Sequence, residues 1–286
     1  MRKMKGVLLY NSHAGRGRIV KYIDEIVEIF RRRDIELSTR EIAFDADPLE
    51  GYDDVELVVI SGGDGTINFV VNKLRKRGIN PQIGIIPTGT ANDFAGALGM
   101  PRNTLRAARR IAEGTEHSID CGEVDGALFV NVLSFGVLTT TSQQTSDREK
   151  HMVGKLAYLR VGAKDLMTMH PIPLHIKCNG EEFDIDAVMC LVFNGETAGS
   201  FHLAPDAKLD DGLLDILILE YHNPVTTCVN MLRHLVKGHP GAVRHLRCQS
   251  IEITSPLNER TDVDGQPGPS FPMHIHCKAG ALRIRY

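Results

Sequence analysis

A glycine-rich stretch, SGGDGT at residues 61–66, is the first segment whose composition suggests chemistry. It lies between the apolar run ELVVI and the sequence INFVVNKL, whose apolar residues have helical spacing. Its three glycines carry no side-chain bulk, so a ligand can approach the backbone closely. The free amide groups at the start of a helix suit a phosphate, Thr66 could add a hydroxyl, and Asp64 could hold Mg²⁺ or a water bound to it.

Two further loops of similar composition follow strand-like segments, NSHAGRGR at 11–18 and PTGTAND at 87–93. In a parallel sheet such loops emerge at the carboxyl edge, where α/β proteins bind ligands. One glycine loop is more often a plain turn, but three in one domain favour a phosphate-bearing nucleotide. The chain has neither the GxxxxGK[ST] of a P-loop nor a clean GxGxxG.

Composition narrows the class of protein. The chain has 286 residues, of which 42% are hydrophobic, and a formal net charge of -3. The length suffices for one large or two ordinary domains, and the near-neutral charge argues against a dedicated nucleic-acid binder. The six cysteines are scattered without a CxxC pair, which indicates reduced core thiols rather than disulfides or a zinc site. The start lacks a signal-peptide core and no apolar run approaches the roughly 20 residues of a membrane span, so we expect a soluble cytoplasmic protein.

The periodicity of the sequence predicts two domains. Strand and helix patterns alternate over residues 1–124 and predict an α/β domain with a parallel sheet. Residues 125–286 show period-two strands and hairpin turns and predict a mainly antiparallel β domain. Helices are expected, four in the first domain and two in the second, at about 19–33, 67–77, 93–98, 103–114, 153–169 and 224–237, with Asn103 as the cap of the fourth.

Three segments in this order resemble the diacylglycerol kinase catalytic-domain family. They are GGDGT after an apolar strand, IIPTGTANDFAGALGMP some twenty residues later, and APDAKLDDGLLDILIL at 204–219. More narrowly, the chain looks like the soluble bacterial lipid kinases of that family, which are related to sphingosine and ceramide kinases. The resemblance implies a three-layer α/β domain like that of NAD kinases and phosphofructokinases, followed by a β-sandwich domain for the lipid substrate.

The resemblance also implies ATP- and Mg²⁺-dependent phosphorylation of a lipid hydroxyl, with diacylglycerol or a similar lipid alcohol as acceptor. Asp64 and Asp93 match the nucleotide-and-magnesium region of the family, with Asp120 behind them. By motif match, the ATP contacts fall on all three loops, at Asn11, Gly15, Gly62, Gly63, Asp64, Gly65, Thr66, Thr88, Gly89, Thr90, Asn92 and Asp93.

Two later segments carry further implied roles. KLDDGLLD resembles the family's separate structural magnesium site, which uses backbone carbonyls plus carboxylate and maps to Lys208, Asp211 and Leu213. TDVDGQPG matches the family's DGE segment and gives Asp264 the role of general base for the lipid hydroxyl. From the residues alone, both Asp-Gly pairs are ordinary hairpin turns.

The chain departs from the family pattern at three positions, each time losing a carboxylate. Phe69 replaces the glutamate that usually follows GGDGT, Leu138 replaces an aspartate, and Gln266 replaces the glutamate of DGE. An alternative is therefore a nucleotide-binding or regulatory homologue with impaired catalysis. An NAD kinase, which shares GGDGT, is disfavoured by the GTANDFA and APDAKLDDGLLD segments. Because Asp64, Asp93 and Asp264 are present, an active kinase is favoured.

The lipid acceptor implies a transient contact with a membrane surface. The segment 147–166 mixes basic and apolar residues and could form a helix on an anionic membrane, placing the protein at the inner membrane surface. The alternative is a helix that packs on its own domain and exposes its basic face to solvent, which is the commoner arrangement for such a sequence. No nucleic-acid partner is expected, and a homodimer is considered although the sequence is silent on it.

Overall fold

The structure is a computed structural model that describes residues 2–137, 170–198, 201–204, 206–223, 226–227, 229–230 and 243–286. The helix predicted at about 153–169, the basic segment 147–166 and Leu138 lie outside these ranges, as does most of the helix predicted at about 224–237.

The described strands and helices follow in chain order. The strands are β1 (Met4–Tyr10), β2 (Ile35–Glu41), β3 (Leu57–Gly62), β4 (Gln82–Pro87), β5 (Glu116–Val124), β6 (Ala127–Phe129), β7 (Val132–Gly136), β8 (Ile172–Cys178), β9 (Glu181–Phe193), β10 (Thr197–Ala198), β11 (Phe201–His202), β12 (Leu214–Glu220), β13 (Arg244–Cys248), β14 (Ser250–Thr254), β15 (Thr261–Val263), β16 (Gln266–Pro267) and β17 (Met273–Arg285). The helices are α1 (Ile23–Arg31), α2 (Asp64–Arg77), α3 (Asp93–Ala97) and α4 (Thr104–Glu113), and a 3₁₀ segment covers Ala14–Tyr22.

The chain divides into two compact units. The first comprises Met1–Cys121 together with Ala279–Tyr286, and the second comprises Gly122–Lys278. The sequence pattern predicts a single boundary near residue 124, with the last eight residues in the second domain. They belong to the first unit because Arg283 and Ile284 of β17 pair in parallel with Gln82 and Ile83 of β4.

The first unit is an α/β fold around a parallel sheet. Strands β2, β1, β3 and β4 are neighbours in that order, and every pair is parallel. Every residue of β3 is buried, as expected for a strand covered on both faces. Helices α1, α2 and α4 contact β2, β3 and β4 respectively, and α1 also packs on α4. The register aligns Tyr10 with Ser61 and Gly62 with Pro87, so the loops after β1, β3 and β4 begin at one edge.

Helix boundaries differ from the sequence expectation in two places. The helix expected over 19–33 is a 3₁₀ segment at Ala14–Tyr22, which contains Gly15 and Gly17 at positive φ angles of 57° and 69°, followed by α1 at Ile23–Arg31. Helix α2 begins at Asp64 rather than at Ile67, so Asp64, Gly65 and Thr66 of the glycine-rich stretch lie in its first turn. The cap at Asn103 is confirmed, since its side chain accepts a hydrogen bond from Arg106 N at 3.0 Å.

The second unit is built from antiparallel strands. Strand β9 is hydrogen-bonded to β7, β8 and β12, while β8 continues through β14 to β17. Strand β8 alternates buried and exposed residues, which is the period-two pattern of a half-buried strand. Two apolar clusters fill the unit, one around Phe129, Phe135 and Ile275 and one around Phe193 and Leu219. The predicted α/β domain with a parallel sheet and the predicted antiparallel β-rich domain are both confirmed.

Two further expectations concern cysteines and membranes. The five cysteines in the described part of the chain are free and buried. No helix among the described residues is both long and apolar enough to cross a membrane.

The β8–β9 hairpin predicts a pH effect on stability. Hydrogen bonds to Asp184 and Glu182, both at 2.8 Å, raise the pKa of His175 above its usual 6.5, against a smaller opposing effect of desolvation. A raised folded-state pKa means that the stabilising contribution is complete below about pH 6.5 and is lost as the pH rises through the folded-state value. We expect His175→Gln to unfold at lower urea concentration than the wild type at pH 5.5, and the difference to vanish at pH 8.5.

Asp184→Asn is the matched control, because it removes the larger cause of the shift and should shrink the difference between the two pH values. A His175→Gln deficit of equal size at pH 5.5 and pH 8.5 would contradict the assignment.

Candidate functional site

The three loops predicted to bind a nucleotide lie side by side in the first unit. Asn11 N–H donates to Ser61 O at 2.9 Å, which ties the loop after β1 to the end of β3. Thr88 N–H and Gly89 N–H donate to Gly62 O at 3.0 and 3.2 Å, which ties the loop after β4 to the same strand. The loops therefore form one continuous surface of polar backbone.

Glycines allow these loops to pack backbone against backbone. A Cβ atom on Gly89 would lie 2.4 Å from Gly63 Cα and 2.9 Å from Asn92 Oδ1. A Cβ on Gly15 would lie 2.4 Å from Thr88 O, and Gly15 also has φ +57°. From the sequence, we interpreted these glycines as allowing a ligand to contact the backbone. In the structure they also allow neighbouring loops to contact each other.

Two asparagines lock the loops in place. Asn11 Nδ2 donates to Thr66 Oγ1 at 3.2 Å, while Asn11 Oδ1 accepts from His13 N at 2.9 Å. Asn92 adopts a left-handed conformation with φ 55°, and its side chain both donates to and accepts from the backbone of Gly89 at 2.8 Å. Asn92 thus stabilises its own loop, although the sequence suggested helix capping as its ordinary role.

The amino terminus of α2 is open for an anion. Its N-cap is Gly63, which has no side chain with which to cap the helix end. The first amide groups of a helix point away from its body along the axis and carry a partial positive charge. A helix of 14 residues that begins inside GGDGT therefore presents donors to a phosphate beside the loop after β4.

Asp64 connects the two glycine loops through hydrogen bonds to α3. Its Oδ2 accepts from Asp93 N at 3.2 Å and its Oδ1 accepts from Phe94 N at 3.0 Å. Burial raises the pKa of Asp64, the charge of Asp93 raises it further, and the two amide hydrogen bonds oppose the shift. Asp93 is itself buried, at 7% exposure. The pair places two carboxylates in a confined, low-dielectric space.

The other predicted metal ligands are Asp120 in the first unit and Lys208, Asp211 and Leu213 in the second. Asp120, on β5, is buried and its Oδ1 accepts from Gly280 N at 2.7 Å. Over the described ranges, no three His, Cys, Asp or Glu side chains gather in a way that could hold a metal ion. In the second unit, Asp211 contacts Leu213 N and the guanidinium of Arg247.

Asp264 forms the turn between β15 and β16 with Gly265, at φ angles of 50° and 85°. These values fit a two-residue hairpin turn with left-handed residues. The carboxylate is buried and accepts three backbone hydrogen bonds, from Val130 N at 2.7 Å, Asn131 N at 3.0 Å and Val132 N at 2.9 Å. Asp264 therefore forms the hairpin turn that the Asp-Gly pair predicts. The same residue is the one to which the family resemblance gives the role of general base.

Sequence reasoning missed two buried asparagines next to Asp264. Asn194 N–H donates to Asn131 O at 2.8 Å, and Asn194 Nδ2 donates to Val130 O at 3.1 Å. Both asparagines are at most 4% exposed. The signal for them was the single asparagine inside each of the apolar runs FVNVL and LVFNG. Together with Asp264 they hold the backbone of residues 130–132.

The position where the family pattern has a glutamate is occupied by packed aromatic groups. Phe69 lies on α2, with its ring centroid 5.0 Å from that of Phe44. Lys73 Nζ lies 5.3 Å from the Phe69 ring centroid, at cation–π distance. Phe69 therefore has neighbours suited to an aromatic side chain.

Comparison with known proteins accounts for both units. Residues 5–124 match the diacylglycerol kinase catalytic domain, and residues 131–286 match the YegS C-terminal NAD kinase beta sandwich-like domain. A diacylglycerol kinase of Bacillus subtilis (strain 168) is 31% identical over 288 residues, covering 94% of this chain and 94% of that protein. The chain belongs to the diacylglycerol kinase family.

Further relatives agree. A diacylglycerol kinase of Staphylococcus carnosus (strain TM300) is 31% identical, covering 96% of this chain and 92% of that protein. A crystal structure from Bacillus anthracis str. Sterne has a TM-score of 0.84 at 27% identity, covering 100% of this chain and 96% of that one. Another, described as a diacylglycerol kinase from the same organism, has a TM-score of 0.77 at 26% identity and covers 98% of its own chain. The protein is a lipid kinase, and membership of a kinase family implies the use of ATP.

The contact between the glycine loops predicts the effect of one methyl group. We expect Gly89→Ala to destabilise the protein by about 1–3 kcal/mol, because its Cβ meets backbone atoms that cannot rotate away. The measurement is the free energy of unfolding from urea denaturation. The matched control is Gly96→Ala in α3, where a Cβ meets nothing within 4 Å. Equal stability of the two variants would refute the packing role of Gly89.

Proposed function

We propose that this lipid kinase transfers the terminal phosphoryl group of ATP, with Mg²⁺, to the hydroxyl of diacylglycerol or a similar lipid alcohol. The observation that carries the proposal is the uncapped start of α2 inside GGDGT, packed against PTGTAND at one sheet edge. Membership of the diacylglycerol kinase family supplies the substrate class.

The nucleotide phosphates would be held mainly by backbone donors of the three loops. Phosphoryl transfer requires little covalent chemistry from a protein and depends on positioning and on stabilisation of charge. Backbone amides fixed by hydrogen bonds and by glycine packing need no reorganisation during the reaction. The proposed contacts are Asn11, Gly15, Gly62, Gly63, Asp64, Gly65, Thr66, Thr88, Gly89, Thr90, Asn92 and Asp93.

Asp64 and Asp93 fit the binding of Mg²⁺. Burial raises the pKa of Asp64, and the two carboxylates lie close enough for the charge of Asp93 to raise it further. A cation beside them would offset both effects, and carboxylate oxygens are the ligands that Mg²⁺ prefers. When bound, the ion would neutralise charge on the phosphates. Asp120 stays a predicted contributor behind them.

Asp264 is proposed as the general base for the acceptor hydroxyl. Its three amide hydrogen bonds fix the orientation of the carboxylate. In a loose phosphoryl-transfer transition state the attacking oxygen forms little bond to phosphorus, so a weak proton acceptor in the right position is sufficient.

Three parts of the expectation stay proposals: the membrane contact, the homodimer and the cytoplasmic location. A peripheral contact with the inner membrane surface follows from the lipid nature of the acceptor, but the segment 147–166 lies outside the described ranges. The homodimer and the cytoplasmic location stay predictions.

The function is tested by following radiolabelled phosphate from ATP. We expect label to appear in phosphatidic acid when phosphatidylcholine vesicles contain 1,2-diacylglycerol, and none when diacylglycerol or Mg²⁺ is left out. Parallel vesicles with ceramide or a sphingoid base test the other lipid alcohols, and NAD tests the alternative kinase class. ATP hydrolysis independent of lipid, or ATP binding without transfer to any acceptor, would contradict the proposal.

Asp264→Asn should lower kcat about 10²–10⁴-fold, the range of general-base catalysis. ATP affinity, measured by calorimetry, should stay unchanged, because the nucleotide loops belong to the first unit. The control is Asp262→Asn in the same hairpin, which keeps the Oδ1 acceptor for Gly265 N. An Asp264→Asn variant with the turnover of the control would exclude the base role.

A further inference from the structure

A buried carboxylate in the second unit is surrounded by basic side chains of the neighbouring strand. Asp215 of β12 is 1% exposed and is paired directly with Arg247 of β13. Arg247 Nε lies 3.2 Å from Asp215 Oδ1, and His245 Nε2 lies 2.6 Å from the same oxygen. Nε makes no hydrogen bond at this distance, so the buried carboxylate attracts the guanidinium as an ion pair.

The same guanidinium reaches the turn that precedes β12. Arg247 Nη2 lies 2.5 Å from Asp211 Oδ2, while Asp211 Oδ1 accepts from Leu213 N at 3.1 Å. Asp211 thus connects the backbone of its own turn to Arg247. The backbone carbonyl of Arg247 also accepts a hydrogen bond from Asn179 Nδ2 at 2.8 Å. The position of Arg247 is fixed from several sides.

This arrangement does not fit the structural Mg²⁺ site that the family resemblance implies for Lys208, Asp211 and Leu213. A divalent cation bound through the Asp211 carboxylate would lie within a few ångströms of the guanidinium, where two positive charges repel strongly. Displacing Arg247 would leave the buried Asp215 with less compensation for its charge. The guanidinium of Arg247 already supplies a positive charge to the turn that contains Asp211.

We propose that Arg247 takes the place of a divalent cation at the turn 208–213, so that this turn keeps its conformation without metal. The proposal concerns the second unit and does not depend on the nucleotide chemistry of the first. It assigns to Arg247 a role that the family pattern gives to Mg²⁺.

The test is thermal unfolding of the full chain without nucleotide, in millimolar MgCl₂ and in EDTA. The wild type and Asp211→Asn should show the same Mg²⁺-dependent shift in Tm, so that any binding at Asp64 and Asp93 cancels in the comparison. Arg247→Met should lower Tm by roughly 5 °C or more, because Asp211 loses its ion-pair partner and the buried Asp215 keeps only His245. It should also gain a Mg²⁺-dependent rise in Tm, which Arg247→Met combined with Asp211→Asn should lack.

Arg244→Met is the matched control on the same strand. Arg244 pairs at 2.9 Å with Glu220, whose side chain is 31% exposed, so its loss should change Tm little and create no response to Mg²⁺. A Mg²⁺ stabilisation of the wild type that Asp211→Asn removes would overturn the proposal, as would equal Tm values for the Arg247 and Arg244 variants. If Arg247→Met does not fold, the wild type and Asp211→Asn are titrated with Mg²⁺ by calorimetry. An additional Mg²⁺ site in the wild type would refute the proposal, and equal binding by the two proteins would support it.

Discussion

The close approach of two glycine backbones, Gly63 and Gly89, holds the candidate nucleotide site together. Strands β3 and β4 set this contact, because their parallel register ends at Gly62 and Pro87 and leaves both loops at one edge. Backbone packing at this distance leaves no room for side chains between the loops. The amides of the α2 start and of the loop after β4 thereby become parts of one surface, which a phosphate can contact at several points.

In each unit an aspartate carboxylate accepts hydrogen bonds from backbone amides of a neighbouring segment. Asp64 accepts two amides at the start of α3, and Asp264 accepts three from residues 130–132. Each carboxylate thus positions a neighbouring backbone segment in addition to any chemistry it performs. For Asp64 the cost of burial is visible in the raised pKa, and two amide hydrogen bonds offset only part of it. A bound cation would offset the remainder.

Local patterns were sufficient to predict much of the fold and the location of the nucleotide loops. Apolar β-branched runs followed by glycine and asparagine identified the ends of β1, β3 and β4, since strand, loop and helix signals lie within one short window. Long-range pairing was beyond such patterns. The parallel addition of β17 to β4 joins residues about 200 apart in the chain. The amides that bind Asp264 are more than 130 positions away from it, and Arg247 lies 36 positions from Asp211.

Two of the three replaced carboxylates, at Phe69 and Gln266, have surroundings that the structure describes. Phe69 packs on Phe44 and lies beneath Lys73, so an aromatic ring is accommodated by its neighbours at this position. Gln266 is exposed on β16, where it pairs with Val263 of β15. Neither replacement touches the hydrogen bonds that orient Asp64 or Asp264. Phosphoryl transfer depends chiefly on oriented backbone donors and a few fixed charges, and the groups proposed for these roles keep their hydrogen bonds beside both replacements.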